Sequence, residues 1–159
     1  MIKRLYFYSK VLFVRMLSPL AKYFSQLPRR LFLLDSFGAA LTSFSLIIIL
    51  RFYNEYFGMP ASILYYLVTV GLIFFSYSTT CFLLLKKNWA SFIRLIGLGN
   101  LLYSSFSLVL IYYYFNTLTP LGVVYFFLEA IIVVVLAFIE LKVANHLTEQ
   151  EKSRRFQKM

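Results

Sequence analysis

Two carboxylates sit inside one long apolar run. Residues 121 to 142 read LGVVYFFLEAIIVVVLAFIELK, with Glu129 and Glu140 eleven positions apart. Eleven residues of α-helix make about three turns, so both side chains leave within roughly 20° of one face, ~16 Å apart along the axis. A carboxyl group in hydrocarbon is costly; such groups turn to a bundle interior and mark proton or ion pathways, or bond polar neighbours. Two chemistries are therefore open to this face: proton coupling or cation binding by a buried acid, and hydrogen bonding that fixes helix register.

Partners must come from the other apolar runs. Counting ~1.5 Å per residue from the inner edge of each run places Glu140, Arg94 and Asp35 roughly 3 to 6 Å deep, and Glu129, Asn100, Ser76 and Thr42 roughly 14 to 20 Å deep. The shallow layer holds one cation between two carboxylates. It predicts an ion-paired clasp centred on Arg94, or three side chains that snorkel separately to headgroups. In the deep layer no basic residue reaches the level of Glu129. That carboxyl is expected as the neutral acid, bonded to Asn100, Ser104 or Thr42 across the bundle, with Ser76 in the same polar core.

Other chemistries lack their residues. The sequence has no glycine-rich nucleotide loop, no HExxH helix and no nucleophile elbow, and its lone His146 lies beyond the last apolar run. A single cysteine, Cys81, excludes an internal disulfide, a CxxC redox pair and a thiolate metal cluster. No catalytic residue, metal site or cofactor is expected.

The elements that position these groups are transmembrane helices. Only 14% of the residues are charged, against roughly 25% in soluble domains. Four apolar runs, 31–52, 61–85, 92–115 and 121–142, each approach the ~20 residues needed to span hydrocarbon. Gly58-Met59-Pro60 and Asn116 to Pro120 break the chain after the first and third runs, and Lys86 to Trp89 joins the second to the third. Such short connections predict two antiparallel hairpins, an all-α polytopic four-helix bundle over residues 31–144. Residues 1–30, with seven basic and no acidic side chains, form a basic interfacial or disordered segment. Pro28 reads as a stop before the first run, a cleavable signal peptide fits poorly because Arg15 interrupts the only candidate core, and 145–159 form a basic tail.

Charge placement sets orientation. The net charge of +10 could suggest nucleic acid, but its basic residues lie in flanks and loops, where they set topology and meet anionic lipid headgroups. All of the sixteen Lys and Arg except Arg51 fall on one side, so both termini are expected in the cytoplasm. Nucleic acid is not expected as a partner.

Each run also carries small or polar residues at helical spacing: Asp35, Gly38, Ala39, Thr42 and Ser45 in the first; Thr69, Ser76, Thr79 and Thr80 in the second. Gly97, Asn100, Ser104 and Ser107 do so in the third, and Gly122, Tyr125, Glu129 and Glu140 in the fourth. In lipid such stripes mark packed faces, because helices there associate through close approach and hydrogen bonds. A candidate parallel repeat matches Ser43-Phe44-Ser45-Leu46 with Ser105-Phe106-Ser107-Leu108, and Pro60 with Pro120.

The segments LFLLDSFGAALTSF, FGMP, KKNWASFIR, GNLLY, LTPLGVVYFFLE and FIELK resemble landmarks of an uncharacterised family of small bacterial four-span membrane proteins, over residues 31 to 144. The resemblance implies a bacterial inner-membrane location and carries no activity or catalytic residue. Three functions compete. A noncatalytic structural or accessory component of a larger membrane complex is slightly favoured by the missing catalytic motifs and the polar helix faces. A small proton-coupled transporter, dimeric because four helices enclose little volume, follows from Glu129. A lipid-modifying enzyme rests only on the shallow acidic layer.

Overall fold

The structure, a computed structural model, describes residues 19–157; most of the basic N-terminal segment lies outside that range. The regular elements among the described residues are all helical: α1 (Pro28–Ile48), continued by a π-helical turn (Ile49–Tyr53) into the short α2 (Asn54–Phe57), then α3 (Ala61–Leu84), α4 (Trp89–Tyr113) and α5 (Pro120–Phe156). Four spans, Pro28–Phe57, Ala61–Leu84, Trp89–Tyr113 and Pro120–Arg154, are long and apolar enough to cross a membrane. Residues 19–26 are also helical, and Ala21 packs fully buried beside Leu31, Phe32 and Val143.

Local chemistry sets the boundaries. Pro28 occupies the first turn of α1, where its missing N–H costs nothing, so it starts the helix instead of stopping the chain before it. Gly58 closes α2 at φ +73, in the left-handed region that suits glycine. Thr119 caps α5: its Oγ1 accepts from the Gly122 N–H at 3.1 Å. From Val123 onward the sequence contains neither Gly nor Pro. Accordingly α5 runs unbroken through Lys142 to Phe156, and the expected basic tail continues the helix.

Packing is uneven. α1 lies along α3 and α4 along α5, whereas α1 touches α5, and α3 touches α4, only sparingly. Ser36 meets Thr79, and Gly71 meets Ser43, where a Cβ on the glycine would come within 2.4 Å of the serine Oγ. Residue numbers therefore rise along α1 as they fall along α3, and small side chains permit the approach. The loops at one end are tied together: the Thr119 N–H donates to Phe57 O at 3.2 Å. At the other end Arg29 reaches across to α3, its Nε donating to the terminal carbonyl of Phe82 at 2.7 Å.

Two apolar clusters fill the interior, one around Leu46, Leu64, Tyr103, Leu110 and Phe126, the other around Phe32, Cys81, Ile93, Ile139 and Val143. The outer faces are apolar as well, with Phe37, Phe44, Leu102 and Ile132 largely exposed. Such all-round apolarity belongs to helices that meet lipid. Polar side chains are concentrated instead between the two clusters.

Candidate functional site

One polar knot joins all four helices. Asn100 stands on α4 between two carboxyls, its Nδ2 donating to Asp35 Oδ1 of α1 at 2.7 Å and to Glu140 Oε2 of α5 at 3.0 Å. Ser78 of α3 donates its hydroxyl to the other Asp35 oxygen. These four residues are at most 5% exposed. The Asn100 amide nitrogen thus bridges the two carboxyls, and Glu140 Oε1 is buried without a hydrogen-bond partner.

The expected clasp is thereby rearranged. Asp35 and Glu140 are joined through Asn100, and Arg94 is not between them. It is exposed, and its Nη2 donates to Asn145 Oδ1 at 3.1 Å and Thr148 Oγ1 at 3.2 Å, on the continuation of α5. Depth counted from Lys142 treats Glu140 as shallow, yet α5 continues fourteen residues further. Both α1 and α4 start three residues earlier than their runs, at Pro28 and Trp89, so counting from the helix starts leaves Asp35 shallower than Asn100, and it is the hydrogen bonds that set Asp35 and Glu140 at its level. A neutral amide donor therefore fills the place expected of a guanidinium.

Glu129 occupies a second polar position. Its Oε1 accepts from the Tyr103 hydroxyl at 2.8 Å, and its Oε2 is buried without a hydrogen-bond partner. None of the partners expected from the sequence bonds it. Asn100 is committed to the knot, Ser104 donates back to Leu101 O at 3.0 Å, and Thr42 lines the wall of a nearby cavity. Ser76 lies outside the polar core, exposed, and donates to Leu72 O at 2.8 Å. Intrahelical back-bonding of this kind is the ordinary alternative for a serine in a membrane helix.

Between the knot and Glu129 lies a cavity of ≈ 280 Å³. The whole α1 stripe, Asp35, Gly38, Ala39, Thr42 and Ser45, lines one wall. Tyr125, Leu128, Glu129 and Ile132 of α5 face it, with Asn100 and Tyr103 of α4 and Phe74 of α3. Both of its ionisable acids come from the sequence reading, while Tyr103 and Ser78 do not. Each of the latter had a signal: Tyr103 is three residues after Asn100 and Ser78 seven after Gly71, helical steps that keep a residue on the same face.

The candidate repeat meets different ground. The two serines matched in the candidate repeat are not equivalent, Ser43 being buried against Gly71 while Ser105 is exposed. His146 is exposed, and no cluster of three His, Cys, Asp or Glu side chains suited to a metal occurs among the described residues. What the arrangement can do is hold Asp35 and Glu140 together through one amide, and present Glu129 to a small guest in the adjoining cavity. No family model, no curated protein and no solved structure matches the chain.

Proposed function

We propose that this chain is a multi-pass protein of the bacterial inner membrane, two antiparallel hairpins with both termini cytoplasmic, that acts as a small proton-coupled carrier. The observation that carries this reading is the cavity at the seam of the helix pairs, walled by Asp35 and Glu129 at the level of the apolar spans. A carrier needs a protected site inside the hydrocarbon and an ionisable group whose charge changes there. Glu129 has both attributes: it is buried, and one of its oxygens is unpaired. Tyr103 from α4 and Tyr125, one turn earlier on α5, are the ionisable groups beside it, and Asp35 reaches the same cavity from α1.

The test is proton flux in liposomes. Glu129→Gln abolishes it while expression and oligomeric state stay unchanged; normal flux in that variant sinks the reading. A second reading, a noncatalytic accessory component of a larger membrane complex, has its own observation. α5 has 37 residues, about 55 Å at 1.5 Å per residue, and so exceeds a hydrocarbon layer of ~30 Å by several turns. Its last turns, with Glu149, Glu151, Lys152 and Arg154, offer a polar rod to a partner or to anionic headgroups. A partner that co-purifies after mild detergent extraction supports that role; repeated isolation of the protein alone counts against it.

A further inference from the structure

We infer that the cavity between α1 and α5 takes a lipophilic organic cation, an amine or quaternary ammonium with an apolar body, admitted sideways from the bilayer. This rests on the reading of the cavity as a substrate site and adds to it the class of substrate.

Charge is the first argument. Asp35 and Glu129 line the cavity, and no Lys, Arg or His among the described residues does. Asp35 is already committed to Ser78 and Asn100, and one Glu129 oxygen to Tyr103; the other, Oε2, is buried and unpartnered. A buried carboxyl without a counter-charge is completed by a cationic guest. The rings of Phe74 and Tyr103, 6.1 Å apart, and of Tyr125 also line the cavity, and aromatic faces attract alkylammonium groups.

Geometry supplies the rest. Leu41, Leu128 and Ile132 line the cavity and are nevertheless 57%, 53% and 68% exposed. They are its rim, and they stand on faces that meet lipid. A route through such a rim suits a molecule already dissolved in the bilayer and excludes a hydrated inorganic ion, which would shed its water in hydrocarbon. A calcium or magnesium ion would also need about six or more oxygen ligands, and the committed carboxyl oxygens cannot supply them. The volume of ≈ 280 Å³ lies just below the 300–1,000 Å³ usual for small-molecule pockets. It accommodates one aromatic ring with its ammonium group, and a longer tail would extend through the rim.

The experiment compares a cation with its neutral isostere. The full chain in lipid nanodiscs is titrated calorimetrically, in mildly alkaline buffer, with benzyltrimethylammonium and with neopentylbenzene, and uptake by empty nanodiscs is subtracted. The wild type binds the cation at least tenfold more tightly than the isostere. Glu129→Gln lowers cation affinity at least tenfold and leaves the isostere unchanged, while Glu129→Asp, which keeps the charge, retains the preference. Ala39→Trp, which fills the cavity, weakens both probes. Equal binding of the two probes by the wild type, as expected of a site for neutral lipid, overturns the proposal, and so does cation binding that survives Glu129→Gln. The two readings fail separately. Cation binding without proton flux removes the carrier and leaves the cation site; proton flux without cation binding does the reverse.

Discussion

Asn100→Ala is the most direct probe of the polar knot. The substitution deletes the one amide that donates to both Asp35 and Glu140, at 2.7 and 3.0 Å. Side-chain hydrogen bonds between membrane helices contribute about 0.6 kcal/mol on average and about 1.7 at most, so losing two costs about 1 to 3 kcal/mol. Asn100→Asp is worse, because a third carboxyl then faces two others in a site almost closed to solvent. Glu140→Gln behaves oppositely. A glutamine keeps a carbonyl oxygen for the Asn100 amide and brings an N–H in place of the unpartnered Oε1, so stability changes by less than ~0.5 kcal/mol. Reversible unfolding in mixed micelles, followed by circular dichroism, ranks the variants. The reasoning is refuted if Asn100→Ala matches the wild type, or if Glu140→Gln is as damaging as Asn100→Ala.

The remaining predictions concern the edges of the same architecture. Arg94→Ala removes only exposed bonds to Asn145 and Thr148, so stability changes by less than ~0.5 kcal/mol in the same unfolding assay; a loss near that of Asn100→Ala would restore the ion-paired clasp. Gly58→Ala places a Cβ 2.1 Å from Thr117 O at a positive φ, and the left-handed conformation alone costs roughly 1–2 kcal/mol. Its midpoint in the denaturant titration should therefore fall clearly, whereas Gly38→Ala, with nothing within 4 Å of the added carbon, should leave it unmoved. A reporter fused after Met159 is active only in the cytoplasm, and one inserted at Met59 only outside; the opposite pattern would overturn the orientation.

How far the molecule could be read from its residues depends on which signals are local. The four spans are announced by unbroken apolarity, and the α1 stripe by its three- and four-residue steps; all five of its members line the cavity. Breaks at Gly58 and Pro120 were equally legible, because left-handed backbone and a helix start each favour one residue type. Helix ends were not. Lys142 looks like a helix boundary, yet a charge does not stop a helix, and depth counted from the run ends set Asp35 and Glu140 in a shallower layer than Asn100, which bonds both. Tyr103 escaped notice for a different reason: in a sequence with thirteen tyrosines, only the facing helix shows which hydroxyl meets Glu129.

The sparse contact between the helix pairs has one further consequence. The α1–α3 and α4–α5 pairs are tied at one end by Thr119 and Phe57, and deeper in by the Asn100–Asp35 bond beside the cavity. Such a joint is weakest against water, which can satisfy the same donors and acceptors. A volume of ≈ 280 Å³ corresponds to about nine molecules at the ~30 Å³ each occupies in the liquid. Wetting would loosen the grip of one helix pair on the other, and drying would restore it. Hydration of that seam would thus set how tightly the two helix pairs are coupled.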